Sequence, residues 1–177
     1  MPSGRTHDRI TFGLFPLIVG GSYWLTQSWI STALGAGGFL FSGLMFGPDL
    51  DIYSVQYKRW GWLRWLWLPY QKFMPHRSFL SHGFVIGTVL RIIYLLAVVF
   101  ILGSSTVAIA QLIWGFDWNW QELLFLEIND IQEHHLWKLV ILLCGLELGA
   151  MSHYLSDSIS SWRKKKSQRP PKKVLRR

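Results

Sequence analysis

The sequence has little that could support a disulfide-stabilised or nucleotide-binding fold. Its 177 residues include one cysteine, Cys144, which excludes an internal disulfide framework. It has no glycine-rich phosphate loop, no nucleophile elbow and no internal repeat, which argues against P-loop, serine-hydrolase and repeat architectures. The apolar segment 10–29 is too long for the core of a secretory signal and lacks a small-residue cleavage site, so we expect no cleavable signal.

Acidic residues are scarce, whereas apolar residues are abundant. The chain has 10 Asp and Glu against 18 Lys and Arg, a formal net charge of +8, a hydrophobic content of 50% and 11 tryptophans. A soluble domain of this size rarely carries so much apolar residue, so the composition favours an integral membrane protein. We expect one metal-binding transmembrane domain over residues 1–161 and a basic, disordered tail over residues 162–177. Such a tail is typical of the cytoplasmic side, where it contacts anionic lipid head groups, and we expect no nucleic-acid partner.

Four apolar segments predict an all-α integral membrane bundle of about four transmembrane helices. They cover about residues 10–29, 30–46, 83–114 and 136–155, and each is near or above the roughly 20 residues needed to cross a bilayer. Only a few residues around Ser28 separate the first two segments, which predicts a tight antiparallel hairpin. The stretch from Arg59 to Tyr70, RWGWLRWLWLPY, mixes aromatic residues with cations, as an interfacial helix in the cytoplasmic loop would.

The charges of the two long loops predict the orientation of the bundle. The loop 47–81 carries the cations Lys58, Arg59, Arg64, Lys72 and Arg77. The loop 115–135 carries Asp117, Glu122, Glu127, Asp130 and Glu133, without any Lys or Arg. The positive-inside rule therefore places the first loop and both termini in the cytoplasm, and the acidic loop outside.

Histidine, aspartate and arginine residues, which are uncommon next to membrane spans, occur at the cytoplasmic end of every predicted span. They are His7, Asp8, Asp49, Asp51, His76, Arg77, His82, His153 and Asp157. Asp49 and Asp51 follow Pro48 in an extended turn, so both carboxylates can reach one centre or bridge two. His153 and Asp157 are four residues apart and therefore share a helix face. Imidazoles and carboxylates that converge from several elements predict a metal centre at the cytoplasmic membrane face.

The ligand types constrain the metal and its number. A mixed His and Asp set suits Zn, Mn or Fe, whereas Mg or Ca would use mostly oxygen ligands. Six or seven such groups exceed what one tetrahedral ion can bind, so we expect two divalent ions, or one ion with further hydrogen-bonding partners. Taken singly, Asp49 could also cap a helix, and His7 or His82 could be interfacial histidines. His134 and His135 lie in the opposite loop, and we expect no metal there.

Two further charges lie inside predicted spans. Arg91 follows His82 by nine residues, about 13 Å along a helix, and Glu147 precedes His153 by six. An arginine at that depth should face the bundle interior. An ion pair between Arg91 and Glu147 could serve helix packing or a substrate equally well.

The motifs GPDLD, HRSFLSHG and SHYLSD, in this order after an early histidine, resemble the YdjM-like family of membrane-bound metal-dependent hydrolases. The resemblance extends to about Ser158 and implies a multi-pass protein of the bacterial inner membrane. Residue by residue, it implies the metal ligands His7, Asp49, Asp51, His76, His82, His153 and Asp157. Ser81 stands where many members have threonine, and Gly83 where they have serine, which weakens any role for a hydroxyl there.

Together with these features, the resemblance implies a metal-dependent hydrolase, and we expect its two-metal site to act on a phosphoester of lipid or prenyl-phosphate type. A bound metal would lower the pKa of water, and the resulting hydroxide would attack the ester. As catalytic residues we expect Arg77, aided by Lys58 or Arg59, to hold the phosphate, and Asp8 to be the general-base candidate. The alternative is a non-catalytic, metal-stapled membrane protein that serves as a structural or interaction partner. A transporter is disfavoured because its ligands would lie near the bilayer midplane.

Overall fold

The computed structural model describes residues 4–76, 78–117, 119 and 135–167, and all regular structure within them is helical. In chain order the elements are α1 (Gly4–Thr26), α2 (Trp29–Leu44), a 3-10 turn (Pro48–Asp51), α3 (Val55–Arg59), a 3-10 helix (Gly61–Trp67), α4 (Leu68–Phe73), α5 (Phe79–His82), α6 (Ile86–Trp114) and α7 (Leu136–Ser167). The all-α prediction is confirmed for these residues.

Helices α1 and α2 form the predicted hairpin. α1 ends at Thr26, and α2 begins only three positions later. Gln27 turns the chain with a φ of +48°. The side chain of Ser28 then caps α2 by accepting a hydrogen bond from the Ser31 N–H at 3.4 Å, which satisfies one of the free donors at the helix start.

Helix α2 packs closely against α7 through small residues. A Cβ added to Gly145 would overlap the backbone of Gly35. One added to Gly149 would lie 2.7 Å from Ser42 Cβ and 2.8 Å from Gly43 N. Gly145 and Gly149 form a small-xxx-small pattern that lets two helix backbones approach. The contact holds the C-terminal half of α7 beside the turn that follows α2.

Two of the four predicted spans have the length and composition to cross a membrane. They are α6, over Ile86–Trp114, and α7, over Leu136–Trp162. α2 is apolar but has only 16 residues, about 24 Å of helix, which is shorter than a bilayer core of roughly 30 Å. α1 begins with charged residues and contains Pro16. The four-span bundle is therefore not confirmed, and two candidate spans remain.

The Trp-rich stretch is not one interfacial helix, as the sequence predicts, but parts of three short elements. Gly61, the first residue of the 3-10 helix, has a φ of +56° and turns the chain after α3. Leu66, Trp67 and Tyr70 are buried. Trp67 packs edge-on against Phe46 and lies beside Tyr94 of α6. The second half of the stretch therefore contributes three residues to the hydrophobic core, where Trp67 and Tyr70 pack beside Tyr94 of α6.

Helix α7 runs beyond the position at which the basic tail is expected to begin. It continues to Ser167, so residues 162–167 extend the last helix. Residues 168–177 lie outside the described residues, as do Arg77 and most of the acidic loop.

Candidate metal centre

The predicted metal ligands come from four parts of the chain that meet at one end of the bundle. α1 contributes His7, the 3-10 turn contributes Asp49 and Asp51, the α5 segment contributes His76 and His82, and α7 contributes His153 and Asp157. All seven are brought together, but in two separate groups.

The first group consists of His7, His153 and Asp157, whose ligand atoms lie within 4.8 Å of one another. The two imidazole rings stack with centroids 3.8 Å apart. Asp157 Oδ1 is 3.5 Å from His7 Nε2, and Asp157 Oδ2 is 3.8 Å from His153 Nε2. Asp49 adds a second carboxylate, with Oδ2 3.2 Å from His153 Nε2. Two imidazoles and two carboxylates therefore surround one small space.

The second group consists of Asp51, His76 and His82. His76 Nδ1 is 2.9 Å from Asp51 Oδ1, and His82 Nδ1 is 3.7 Å from Asp51 Oδ2. The buried carboxylate of Asp51 thus faces a different imidazole with each of its oxygens.

The 3-10 turn gives one aspartate to each group, and neighbouring side chains hold it in place. Gln71 Nε2 donates hydrogen bonds to the carbonyl oxygens of Leu50 and Ile52, both at 3.0 Å. Because Asp49 and Asp51 are only two residues apart, the two groups are adjacent. This arrangement suits two neighbouring ions better than one ion with seven ligands.

Several buried ligand atoms have no hydrogen-bond partner within the described part of the chain. They are His7 Nδ1, Asp49 Oδ1, Asp51 Oδ2, His76 Nε2, His82 Nε2, and both ring nitrogens of His153. Each such buried polar atom is destabilising by about 1–3 kcal/mol, and a bound cation would remove that penalty for each atom that coordinates it, which is one nitrogen of each imidazole. Two nitrogen ligands of one tetrahedral Zn ion lie about 3.4 Å apart, so ligand atoms that lie within 4.8 Å of one another would have to move closer by about 1.4 Å at most. The residues fit divalent metal ions.

The electrostatics of the site favour the protonation states that bind metal. Burial lowers the pKa of His7, and the nearby His153 lowers it further. Burial likewise lowers the pKa of His82. Burial alone would raise the pKa of Asp49, but its contact with His153 and the neighbouring imidazoles outweigh burial and lower it. Neutral imidazoles and ionised carboxylates are the forms that coordinate metals.

Ser81 is a residue whose role the family resemblance discounts. It is fully buried, and its Oγ lies 2.8 Å from His82 Nδ1. An Nδ1–H donated to this hydroxyl would leave the Nε2 lone pair of His82 free for a metal, which is how outer hydrogen bonds orient imidazole ligands. In the sequence, only the position of Ser81 directly before the candidate ligand His82 indicates this supporting role.

Arg91 does not pair with Glu147, which corrects the predicted ion pair. The fully buried Arg91 donates hydrogen bonds to the Ser81 carbonyl and to Thr88 Oγ1, both at 3.0 Å. Glu147 Oε1 instead accepts a hydrogen bond at 3.0 Å from the Val85 N–H, at the start of α6, where a negative charge is favourable. Both charges therefore hold the segment that carries His82.

The remaining predicted residues have the following positions. Asp8 forms a two-pronged ion pair with Arg59, with Nη1 to Oδ1 at 2.9 Å and Nη2 to Oδ2 at 2.5 Å.

His135 is far from the metal centre. Its Nδ1 lies 3.2 Å from Lys138 Nζ, and the residue is about 27 Å along α7 from His153. Arg77 and His134 lie outside the described residues, so the phosphate-binding role of Arg77 stays a prediction.

A cavity of about 260 Å³ opens beside the first group. Its walls include His7, Asp49, His153 and Asp157, together with Asp8, Lys58 and Arg59. Lys58 Nζ lies 4.7 Å from the centre of the Tyr53 ring and makes no ion pair with any described residue. The cavity therefore combines candidate metal ligands with a cation that is available for an anionic ligand.

The fold and the site define a helical protein with two adjacent sets of metal-ligating side chains. Residues 2–167 match the family described as "Uncharacterized metal-binding protein (DUF2227)", and the chain belongs to this family. It is also 36% identical over 59 residues to an "Uncharacterized protein" of Aquifex aeolicus (strain VF5), a match covering 33% of this chain and 41% of that protein. The chain thus matches less than half the length of this relative. No solved structure matches. Family membership supports metal binding, whereas the YdjM-like hydrolase resemblance remains an expectation.

Proposed function

We propose that this protein is a metal-dependent hydrolase of the bacterial cytoplasmic membrane that cleaves a phosphoester of lipid or prenyl-phosphate type. The observation that carries the proposal is the cavity of about 260 Å³, which places candidate metal ligands and Lys58 around one space. A metal that only staples helices needs no such space beside it.

Divalent ions bound by the two groups, with Zn, Mn or Fe best suited to the ligands, would supply an activated water and neutralise charge on the phosphate. The chain supplies the rest. Lys58 attracts the phosphate to the cavity, and Asp8 fixes Arg59 in the wall through their two-pronged pair. Because both Asp8 oxygens accept hydrogen bonds from Arg59, Asp8 would act as the general base only after this pair opens, and Arg77 remains a further candidate for holding the phosphate.

Three features support a membrane location and a lipid-like substrate. α6 and α7 could each cross a bilayer, and many large apolar side chains of α6 are exposed. The loop 47–81, which carries Asp49 and Asp51, is rich in cations and suits the cytoplasmic side. We propose that both termini are cytoplasmic and that the basic tail contacts anionic lipids.

A non-catalytic metal staple is the second candidate. The ligands come from α1, the turn after α2, the α5 segment and α7, so bound ions would link distant parts of the chain. This role predicts bound metal without turnover, which separates it from the hydrolase.

The hydrolase is tested by activity of the purified, metal-loaded protein on soluble phosphate esters such as p-nitrophenyl phosphate and bis-p-nitrophenyl phosphate. Lys58→Gln should lower kcat/KM by about tenfold or more, because a charged hydrogen bond contributes roughly 1.5–3 kcal/mol. Metal content should not change. Lys72→Gln, an exposed cation outside the cavity, is the matched control and should retain activity. If the metal-loaded wild type hydrolyses neither soluble esters nor phosphatidic acid, the staple is the better description.

A further inference from the structure

A second and larger groove lies next to the metal cavity. It has a volume of about 560 Å³ and is lined by Tyr53, Tyr57, Gly61, Trp62, Arg64, Trp65 and Leu68. Its walls are mainly aromatic, and Trp62 is 79% exposed while Trp65 is 48% exposed. No candidate metal ligand is among the lining residues, so the metal site does not explain the groove.

The groove and the metal cavity are neighbours, because the side chain of Tyr53 lines both. The Tyr53 ring packs against the Tyr57 ring with centroids 5.5 Å apart, and Lys58 Nζ lies over its face. A ligand whose head group lies in the cavity would have to pass Lys58 and Tyr53 to reach the groove.

The charged side chains between the cavity and the groove, and in the groove itself, are positive. Lys58 lines the neighbouring cavity and Arg64 lines the groove, whereas no acidic side chain of the described residues lines the groove. A site that suits an anionic group therefore lies next to a largely aromatic surface. A ligand that matches both parts has a phosphate at one end and an apolar chain at the other.

We propose that the groove binds the apolar chain of the phosphate-bearing amphiphile whose head group occupies the metal cavity. This inference rests on the proposed function but concerns chain binding rather than cleavage. A volume of about 560 Å³ falls within the range typical of small-molecule sites. Exposed tryptophans contribute strongly to such binding because they bury a large area with little loss of freedom.

The test compares binding of n-butylphosphonate and n-dodecylphosphonate to the metal-loaded, full-length protein. Both carry a carbon–phosphorus bond that ester hydrolysis does not cleave, so binding is measured independently of turnover. Titration calorimetry at fixed detergent concentration, below the micelle concentration of the ligand, gives both affinities. Each methylene buried in the groove should raise affinity roughly fourfold. The wild type should therefore prefer the dodecyl compound strongly.

Trp62→Ala and Trp65→Ala should each lower the ratio of dodecyl to butyl affinity by about tenfold, from the apolar area they remove, without changing butyl affinity. Trp24→Ala removes a tryptophan that is 75% exposed but lies about 26 Å along α1 from His7, and it should leave the ratio unchanged. An unchanged ratio in both groove variants, or an equal loss for both ligands, would overturn the proposal.

The two proposals fail separately. If the protein hydrolyses soluble esters but binds both phosphonates with equal affinity, the hydrolase proposal stands and the groove proposal is wrong. Chain-length-dependent phosphonate binding without any ester hydrolysis would retain the groove and refute the hydrolase.

Discussion

At the scale of single residues, the two aspartates of the 3-10 turn have different partners. Asp49 contacts His153, whereas Asp51 contacts His76 and lies near His82. Each aspartate is therefore expected to serve one ion, with the peptide between them holding the ions side by side. Loss of one ligand should then affect one ion more than the other.

Replacement of His76 tests this division. His76→Ala should lower bound metal by about one ion per chain, because the second group would keep only Asp51 and His82 of its three members. The protein should also unfold at a lower temperature, since metal binding contributes to the free energy of folding. Elemental analysis of purified protein and thermal unfolding measure the two effects.

The control for His76 is the histidine pair in the opposite loop. Replacing His134 and His135 together with alanine should leave the metal content unchanged, because His135 lies about 27 Å along α7 from His153. If this pair lowers metal content and His76→Ala does not, the metal centre is at the other end of the molecule.

At the scale of elements, the packing of α2 on α7 decides whether the first group can form. Asp49 follows α2 and His153 lies on α7, so their contact depends on how closely these helices approach. Gly145 and Gly149 permit that approach because neither leaves room for a Cβ.

Gly149→Ala should therefore lower stability by about 1–3 kcal/mol, the usual effect of overpacking. It should also weaken metal binding in the first group, because α7 would move away from the turn that carries Asp49. Thermal unfolding and metal titration measure these effects. Gly37→Ala, on α2 with nothing within 4 Å of the position that a Cβ would take, is the matched control and should be neutral or slightly stabilising. Equal losses in both variants would argue against close packing as the cause.

The sequence predicts the hairpin of α1 and α2 and the meeting of the ligands, because both follow from local signals. Ser28 is a recognisable helix cap, and the candidate ligands all lie at span ends. The break of the Trp-rich stretch was not predictable, because the Tyr94 hydroxyl on α6 donates a hydrogen bond to the distant Leu66 carbonyl. The partner of Glu147 was not predictable either, since Val85 presents its N–H through a φ of +62°.

At the scale of the whole molecule, the position of the metal centre is tied to the orientation of α6 and α7. The start of α6 meets the later part of α7 at the hydrogen bond between Val85 and Glu147. The first residues of α6 and the C-terminal part of α7 therefore lie on the same side of the membrane, near the metal centre. The acidic loop 115–135 joins the other ends of these helices. The hairpin of α1 and α2 returns to its starting side whether or not it crosses the bilayer.

Tags inserted at three positions test this orientation. A tag at Glu122 should be accessible from outside the cell, whereas tags after Lys72 and after Arg177 should be accessible only from the cytoplasm. The reason is the positive-inside rule, because loop 47–81 and the tail carry the cations and loop 115–135 carries none. Accessibility to a membrane-impermeant reagent, before and after lysis, gives the measurement. If the tags at Glu122 and Arg177 lie on one side, α6 and α7 cannot both be spans with the metal centre at their cytoplasmic ends.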